Sequence, residues 1–187
     1  MTSLTLVLMR HAKAEQQGPP TQGDHGRPLA PRGFSDAAVA GVRLREWGPM
    51  PDLVLCSTSV RTAQTWDALT HGADEGDRVS GAGSSRPMAE VEVWHDRRIY
   101  NASPRALLEV LADVPDDVGV VAMVGHAPGI PALVSTLLGD HDHMSPATEN
   151  LLLSFATMTT AVLHSDQRAD VPEPASMSLV RAYGSRG

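Results

Sequence analysis

Short runs of apolar residues alternate with helical patterns along most of this 187-residue chain. The runs are unbroken and rich in Val and Leu, which is typical of strands covered on both faces of a parallel sheet. They are LTLVLM (4–9), DLVLC (52–56), VGVVAMV (118–124) and TTAVLH (159–164). Helices are predicted between them, over 33–48, 59–71, 103–114 and 128–139. The alternation predicts a three-layer α/β/α fold with a mostly parallel central sheet, and the length fits a single domain spanning 1–187.

Other segments carry weaker signals. The run LLLSFA (151–156) is predicted to form a strand in a meander with the run at 159–164, and this pair is a candidate for an antiparallel edge. Segments 16–28 and 71–87 are rich in Gly, Pro and polar residues, so we expect mobile loops there. Segment 166–176 is predicted to be a loop that leads to a final short strand.

Charge and composition exclude several classes of function. The formal net charge is −7, which argues against nonspecific binding to nucleic acid or to anionic membranes. No apolar stretch approaches the ~18 residues of a transmembrane helix. The first residues lack a basic leader and are interpreted as a strand rather than a signal peptide. The single cysteine, Cys56, fits a reducing compartment. We therefore expect a cytoplasmic protein without nucleic-acid or membrane partners.

Three predicted strands end in side chains that bind anions. Arg10 and His11 follow the first strand, Arg61 lies about one turn into the helix after the second, and His126 follows the strand at 118–124. Ligands of open α/β sheets bind beyond the carboxyl ends of the strands. Arginine donates paired hydrogen bonds to phosphate oxygens, and helix N-termini add backbone N–H groups. The pattern predicts a phosphate-binding site at this edge of the sheet.

The two histidines add the means for phosphoryl transfer. A neutral imidazole is a nucleophile, and neighbouring arginine cations favour the neutral form. One imidazole could attack phosphorus while the other, protonated, stabilises the equatorial oxygens and the arginines neutralise the transferring group. This chemistry requires no metal ion and no cofactor.

These residues also resemble a known family. LMRHAKAE (8–15) is similar to the RHG-type signature of the histidine phosphatase superfamily, which has the phosphoglycerate mutase-like fold, with Ala12 where glycine is commonest. CSTSVRTAQT (56–65) resembles the S-x-x-x-R-x-x-Q-T helix start of that family, and VGHAPG (124–129) resembles its second-histidine turn. RPLAPRG (27–33) is similar to a segment of the phosphohistidine phosphatase branch.

The resemblance implies a metal-independent phosphatase and a role for each matched residue. His11 would be the nucleophile that becomes phosphorylated, Arg10 and Arg61 the arginines of the phosphate pocket, and His126 the second histidine. The expected substrate is phosphohistidine in a protein or a related small phosphorylated molecule. The alternatives are a phosphomonoesterase or mutase that acts on small metabolites, and a phosphate-binding module without turnover.

The general acid is the point where the sequence departs from the family. Many members carry a glutamate after the third strand, but the corresponding segment, 90–103, has Arg98 where a carboxylate is expected. Asp96 or Glu92 could replace it, or no dedicated acid exists. An imidazole leaving group can depart already protonated, so this departure favours P–N substrates or activated esters over alkyl phosphates.

Three further features lead to expectations about individual residues. Asp24, His25 and Arg27 in the loop at 16–28 are candidates for substrate contact, and Arg27 is predicted to bind substrate. His141 and His143 in GDHDHM (139–144) alternate with acidic residues, and we interpret them as solvated rather than metal-binding. Ala30 replaces a threonine that would cap the following helix.

Overall fold

The centre of the fold is a six-stranded sheet. The computed structural model describes residues 3–81, 86–138, 144–169 and 172–184. Its strands, in chain order, are β1 (Leu4–Arg10), β2 (Leu53–Ser57), β3 (Glu92–Asp96), β4 (Val120–Gly125), β5 (Thr160–Ser165) and β6 (Ser178–Tyr183). Across the sheet they lie in the order β3-β2-β4-β1-β5-β6.

Five α-helices are found among the described residues. They are α1 (Pro31–Trp47), α2 (Val60–Ser80), α3 (Pro104–Leu111), α4 (Gly129–Leu138) and α5 (Pro146–Ser154). Single 3₁₀ turns flank β3, at Met88–Glu90 and Arg97–Ile99.

The first four strands are parallel to one another, β5 runs in the opposite direction, and β6 returns to the direction of the first four. β1 and β2 both pair with β4, and β2 also pairs with β3. β5 is antiparallel to β1, and β6 is antiparallel to β5. The expected mostly parallel sheet is therefore confirmed. β5 is antiparallel to both of its neighbours, and β6 rather than β5 lies at the edge. The carboxyl ends of β1, β2 and β4 meet at one edge because these neighbouring strands run the same way.

Helices cover both faces of the sheet, as the unbroken apolar runs predict. Leu6 and Leu8 of β1 belong to a core built with α3 and α4, whereas Val7 and Met9 belong to a second core built with α1 and α2. All four side chains are fully buried. Successive side chains of a strand point to opposite faces, so only a strand that is buried on both faces can be apolar throughout.

Two predictions about secondary structure are wrong. The run at 151–156 is not a strand, since most of it lies in α5, where the side chain of Ser145 caps the helix by accepting a hydrogen bond from the backbone N–H of Thr148. The helix predicted to end at residue 71 continues to Ser80, so much of the expected loop at 71–87 is helical. His141 and His143 lie outside the described residues.

The start of α1 packs directly on the segment that follows β1. A side-chain Cβ at Gly33 would lie 2.1 Å from the carbonyl oxygen of Lys13, so only glycine allows this approach. The backbone N–H of Ala30 donates to the same carbonyl oxygen at 2.9 Å. Ala30 provides no side-chain cap, as its sequence predicts. The RPLAPRG segment therefore holds the His11 segment in place through its backbone.

Candidate active site

A cavity of about 430 Å³ opens at the carboxyl edge of β1, β2 and β4. The structure brings the four predicted site residues together there, because all of them line this cavity. Its lining residues are Arg10, His11, Lys13, Ala14, Asp24, Arg27, Arg61, Asn101, His126, Ala127 and Thr157.

The position of His11 is fixed by the backbone on both sides of it. Its N–H donates to the carbonyl oxygen of Gly125 in β4 at 3.0 Å, which extends the pairing of β1 with β4 by one residue. The next N–H, of Ala12, donates to the hydroxyl of Thr65 in α2 at 3.0 Å, and that hydroxyl donates to the carbonyl oxygen of Arg61 at 2.6 Å. His11 is therefore tied both to the sheet and to the helix that carries Arg61.

Two contacts determine which nitrogen of His11 carries the proton. Nδ1 lies 2.8 Å from the carbonyl oxygen of Ala12, which can only accept, so Nδ1 carries the hydrogen. Nε of Arg61 lies 3.3 Å from Nε2 and can only donate, so Nε2 has the free electron pair. This is the neutral tautomer that a nucleophile at Nε2 requires.

Arg61 links the catalytic groups to one another. It is the second residue of α2, its side chain is buried, and its Nη2 lies 3.3 Å from Nδ1 of His126. Nη1 and Nη2 also donate to the backbone oxygen and to Oδ2 of Asp24, at 2.7 and 3.0 Å. The N-terminal end of α2 adds the positive end of a helix dipole to this guanidinium, so an anion is stabilised here.

His126 adopts the opposite tautomer from His11. Because Arg61 donates to Nδ1, the hydrogen of the neutral ring lies on Nε2, which donates to the hydroxyl of Ser57 at 2.9 Å. The imidazole centroids of His11 and His126 are 5.2 Å apart. The ring of Tyr100 packs edge-on against His126, with centroids 5.3 Å apart. His126 is therefore held from three sides.

Arg10 provides the second cation of the cavity. Its Nη1 donates to the carbonyl oxygen of Phe155 at 2.8 Å, which anchors the guanidinium to the segment after α5. Its Nε is buried and has no hydrogen-bond partner within the described part of the chain. A buried donor without a partner is costly to the fold.

The surroundings keep both imidazoles neutral. Burial, together with the charges of Arg61, Arg10 and Arg27, lowers the pKa of His11 to about 4, against the opposing hydrogen bond to Ala12. Burial is also the main reason why the pKa of His126 is lowered to about 3. The neutral state predicted for the nucleophile is present. The protonated second imidazole expected from the sequence is not its state here, and a bound dianion would be needed to favour it.

Asp96 and Glu92 do not reach this cavity. The Asp96 carboxylate accepts hydrogen bonds from the backbone and side chain of Arg98, which hold the pKa of Asp96 below its usual range. It lines a neighbouring groove with His25 and Thr58. Glu92 is the first residue of β3, at the opposite end of that strand. The expectation that Asp96 acts at the site is thus wrong on geometry, because the strand places its carboxylate beside the cavity and Arg98 holds it there.

The cavity contains a different carboxylate, that of Asp24. It accepts hydrogen bonds from Arg27, Arg61 and the hydroxyl of Tyr100, at 2.7, 3.0 and 2.6 Å. Arg27 therefore lines the cavity, and its guanidinium is paired with Asp24. His25 lies in the neighbouring groove, where its Nε2 is 3.0 Å from the hydroxyl of Thr58.

Sequence reasoning missed several residues that build the site. Thr65 of the second motif anchors the first motif by accepting a hydrogen bond from Ala12. Gln64 anchors the RPLAPRG segment by accepting a hydrogen bond from the backbone N–H of Leu29 at 2.7 Å. Tyr100 holds Asp24, and Asn101 lines the cavity with a φ of 50°, a conformation that asparagine tolerates. Both residues lie in the segment 90–103 discussed above, but nothing in the local sequence indicated that this segment faces the loop at 16–28.

The structure offers no alternative centre of metal chemistry within residues 3–81, 86–138, 144–169 and 172–184. No group of three or more His, Cys, Asp or Glu side chains there has the geometry to hold a metal ion. No described helix is long and apolar enough to cross a membrane.

Comparison with known proteins agrees with the site. Residues 6–79 match the model of the histidine phosphatase superfamily, branch 1. An uncharacterised Mycobacterium tuberculosis protein is 36% identical over 173 residues, which cover 92% of this chain and 96% of the relative. A Nakamurella multipartita structure assigned as the phosphohistidine phosphatase SixA is 33% identical, with a TM-score of 0.76 over 100% of this chain and 99% of the other. Phosphoglycerate mutase from Plasmodium falciparum, 14% identical, shares the fold with a TM-score of 0.58 over 99% and 92% of the chains.

Proposed function

This chain belongs to the histidine phosphatase superfamily, and we propose that it hydrolyses phosphohistidine, or a related small phosphorylated substrate, through a phosphorylated His11. The observation that carries the proposal is the tautomer of His11. Its Nδ1–H is bound to the Ala12 carbonyl, and the electron pair of Nε2 faces a guanidinium that would bind phosphate oxygens. A site that only binds phosphate would need hydrogen-bond donors, but it would not need a nitrogen with a free electron pair.

The first step follows from the contacts of Arg61. A phosphoryl oxygen replaces Nε2 of His11 as the acceptor for Nε–H of Arg61, which frees the electron pair of Nε2. That pair attacks phosphorus, a P–N bond forms to His11, and the bond to the leaving group breaks. Arg10, Arg61 and the N-terminal end of α2 neutralise charge on the equatorial oxygens.

The second step returns the enzyme to its resting state. Water attacks the phosphorylated His11, the P–N bond breaks, and inorganic phosphate leaves while His11 recovers its neutral tautomer. His126 adjoins the transferring group, and the dianion would raise its pKa towards the protonated form that donates a hydrogen bond to phosphorus-bound oxygen. Both steps use side chains only, so we propose a metal-independent phosphatase.

The proposed setting is the cytoplasm, with a phosphorylated small molecule or a phosphohistidine protein as the partner. The single cysteine, Cys56, supports this setting, because a chain with one cysteine cannot form an internal disulfide. The net charge of −7 supports a partner other than nucleic acid or an anionic membrane.

The test compares wild type with His11→Ala on p-nitrophenyl phosphate and on a phosphohistidine protein. Wild type is expected to hydrolyse both and to form an acid-labile phosphoenzyme. His11→Ala is expected to lose at least about 10³-fold in kcat/KM and to form no phosphoenzyme. A matched control is His71→Ala, an exposed histidine about 15 Å along α2 from Arg61.

Two results would overturn the proposal. Hydrolysis that survives in His11→Ala would remove His11 as the nucleophile. Absence of hydrolysis by wild type, with phosphate still bound, would favour a binding module. The His71→Ala protein should match wild type in both rate and phosphoenzyme formation.

A further inference from the structure

An anionic side chain occupies part of a cavity that otherwise suits an anion. The carboxylate of Asp24 accepts hydrogen bonds from Arg27, Arg61 and Tyr100, and it lines the same cavity as His11 and His126. Its contact with Arg61 uses one of the N–H groups that would otherwise bind phosphate oxygens. The site thus contains its own competitor for a phosphoryl dianion.

The Asp24 carboxylate is fixed in this position from several elements. Arg61 comes from the start of α2, Tyr100 from the segment after β3, and Arg27 from the same loop as Asp24 itself. The backbone oxygen of Asp24 also accepts a hydrogen bond from Arg61, so both ends of the residue are held. A carboxylate held in this way cannot turn into solvent to make room for phosphate without breaking these bonds.

The Asp24 carboxylate accepts hydrogen bonds in this site and does not act as a general acid. Hydrogen bonds from Tyr100 and Arg27, followed by the charge of Arg61, hold the pKa of its carboxyl well below the usual range. It is therefore ionised at neutral pH. Three hydrogen-bond donors occupy three of its roughly four lone-pair sites, which leaves capacity for one more donor.

An ionised carboxylate in a phosphate site opposes the binding of a dianion, since like charges at short distance repel. It becomes favourable only when the substrate also brings a positively charged or N–H-bearing group near the phosphorus. A phosphoryl group on a protonatable nitrogen has that character, whereas an aryl or alkyl phosphate does not.

We infer that Asp24 determines specificity, selecting phosphoryl groups carried on a ring nitrogen whose partner nitrogen is protonated. This inference rests on the proposed function. The carboxylate accepts a hydrogen bond from the N–H of the leaving imidazole and stabilises its cationic form before the P–N bond breaks.

The reaction balances without a separate general acid. The substrate imidazole carries phosphorus on one nitrogen and a proton on the other, so the ring is cationic. Nε2 of His11 supplies an electron pair to phosphorus, and the pair of the breaking P–N bond returns to the leaving ring. The ring departs as neutral imidazole with its N–H still bound to Asp24. This accounts for the absence of Asp96 and Glu92 from the cavity.

The experiment measures kcat/KM for phosphoimidazole and for p-nitrophenyl phosphate with wild type and with Asp24→Asn. The substitution keeps the size of the side chain and removes its charge. Phosphoimidazole turnover is expected to fall at least about tenfold. Turnover of p-nitrophenyl phosphate is expected to rise, because the charge that repels the dianion is gone and the nitrophenolate leaving group needs no proton. Asp113→Asn is the matched control, an exposed carboxylate that is ion-paired with Arg98 outside the cavity.

A second measurement tests the inference through the binding of phosphate rather than through turnover. Inhibition by inorganic phosphate is expected to become several-fold tighter in Asp24→Asn, because the competing charge is gone. Equal losses on both substrates, or weaker phosphate binding, would overturn the inference while leaving the phosphatase function intact. Failure of wild type to hydrolyse either substrate would instead overturn the proposed function.

Discussion

Nε of Arg61 donates a hydrogen bond to Nε2 of His11 across 3.3 Å. The contact places a permanent cation beside the nucleophilic nitrogen, and the same guanidinium contacts His126 and Asp24. One side chain thus helps to keep the nucleophile neutral, contacts the second histidine and restrains the loop that carries Asp24. Four predictions follow from this arrangement and from the contacts that support it.

The pH dependence should reflect a depressed pKa of His11. Because that pKa is lowered from 6.5 to about 4, the imidazole stays neutral as the pH falls through 6.5 and becomes protonated only near pH 4. The Cε1–H resonance of His11, assigned with His11→Gln, is expected to show no titration between about pH 5.5 and pH 8. A midpoint near 6.5 for this resonance would contradict the proposed environment.

The lowered pKa values of His11 and His126 also make the stability of the fold depend on pH. The unfolded chain binds protons at pH values where the folded His11 and His126 do not, so the free energy of unfolding is expected to decrease as the pH falls below about 6.5. Urea denaturation at a series of pH values measures the decrease. Replacing both histidines with glutamine should reduce its slope.

Arg61→Lys should impair catalysis although it keeps the charge. An ammonium group cannot reproduce the planar set of donors that reaches His11, His126 and Asp24 together. We expect kcat/KM to fall by about 10²-fold, the range found for the loss of a preorganised donor. Arg105→Lys, on the exposed face of α3, serves as the control. A loss below about threefold would show that charge alone suffices.

Thr65→Val should affect both stability and the position of the nucleophile. The substitution keeps the shape but removes the acceptor of the Ala12 N–H, which becomes a buried donor without a partner. The expected cost is about 1–3 kcal/mol in the free energy of unfolding, together with a lower kcat. Thr65→Ser retains the hydroxyl and should restore most of both values. Chemical denaturation and steady-state kinetics measure them, and a fully active, fully stable Thr65→Val protein would exclude this role.

Much of the fold and the core of the site could be predicted from the sequence. The unbroken apolar runs predicted β1, β2, β4 and β5, because a strand that is buried on both faces carries apolar side chains at successive positions. Arg10, His11, Arg61 and His126 could be placed together for a geometric reason, since parallel strands bring their carboxyl ends to one edge. That rule needs only the order of strands and helices along the chain.

The errors lie where local pattern is ambiguous. A short apolar run such as that at 151–156 suits a strand or a helix equally, and the capping residue Ser145 decided for helix. The continuation of α2 to Ser80 depends on its packing against α1, which local composition does not reveal. Asp96 was expected at the site because it lies at the carboxyl end of β3, but its pairing with Arg98 keeps it in the neighbouring groove.

The sequence by itself determined the sheet, the three strand-end motifs and the chemistry of their side chains. Only the tertiary structure decided which carboxylate enters the cavity. Tyr100 and Asp24 are 76 residues apart, and their hydrogen bond forms because the fold brings the loop at 16–28 over the segment after β3. Loop closure of this kind depends on contacts between distant segments, and no local propensity encodes it.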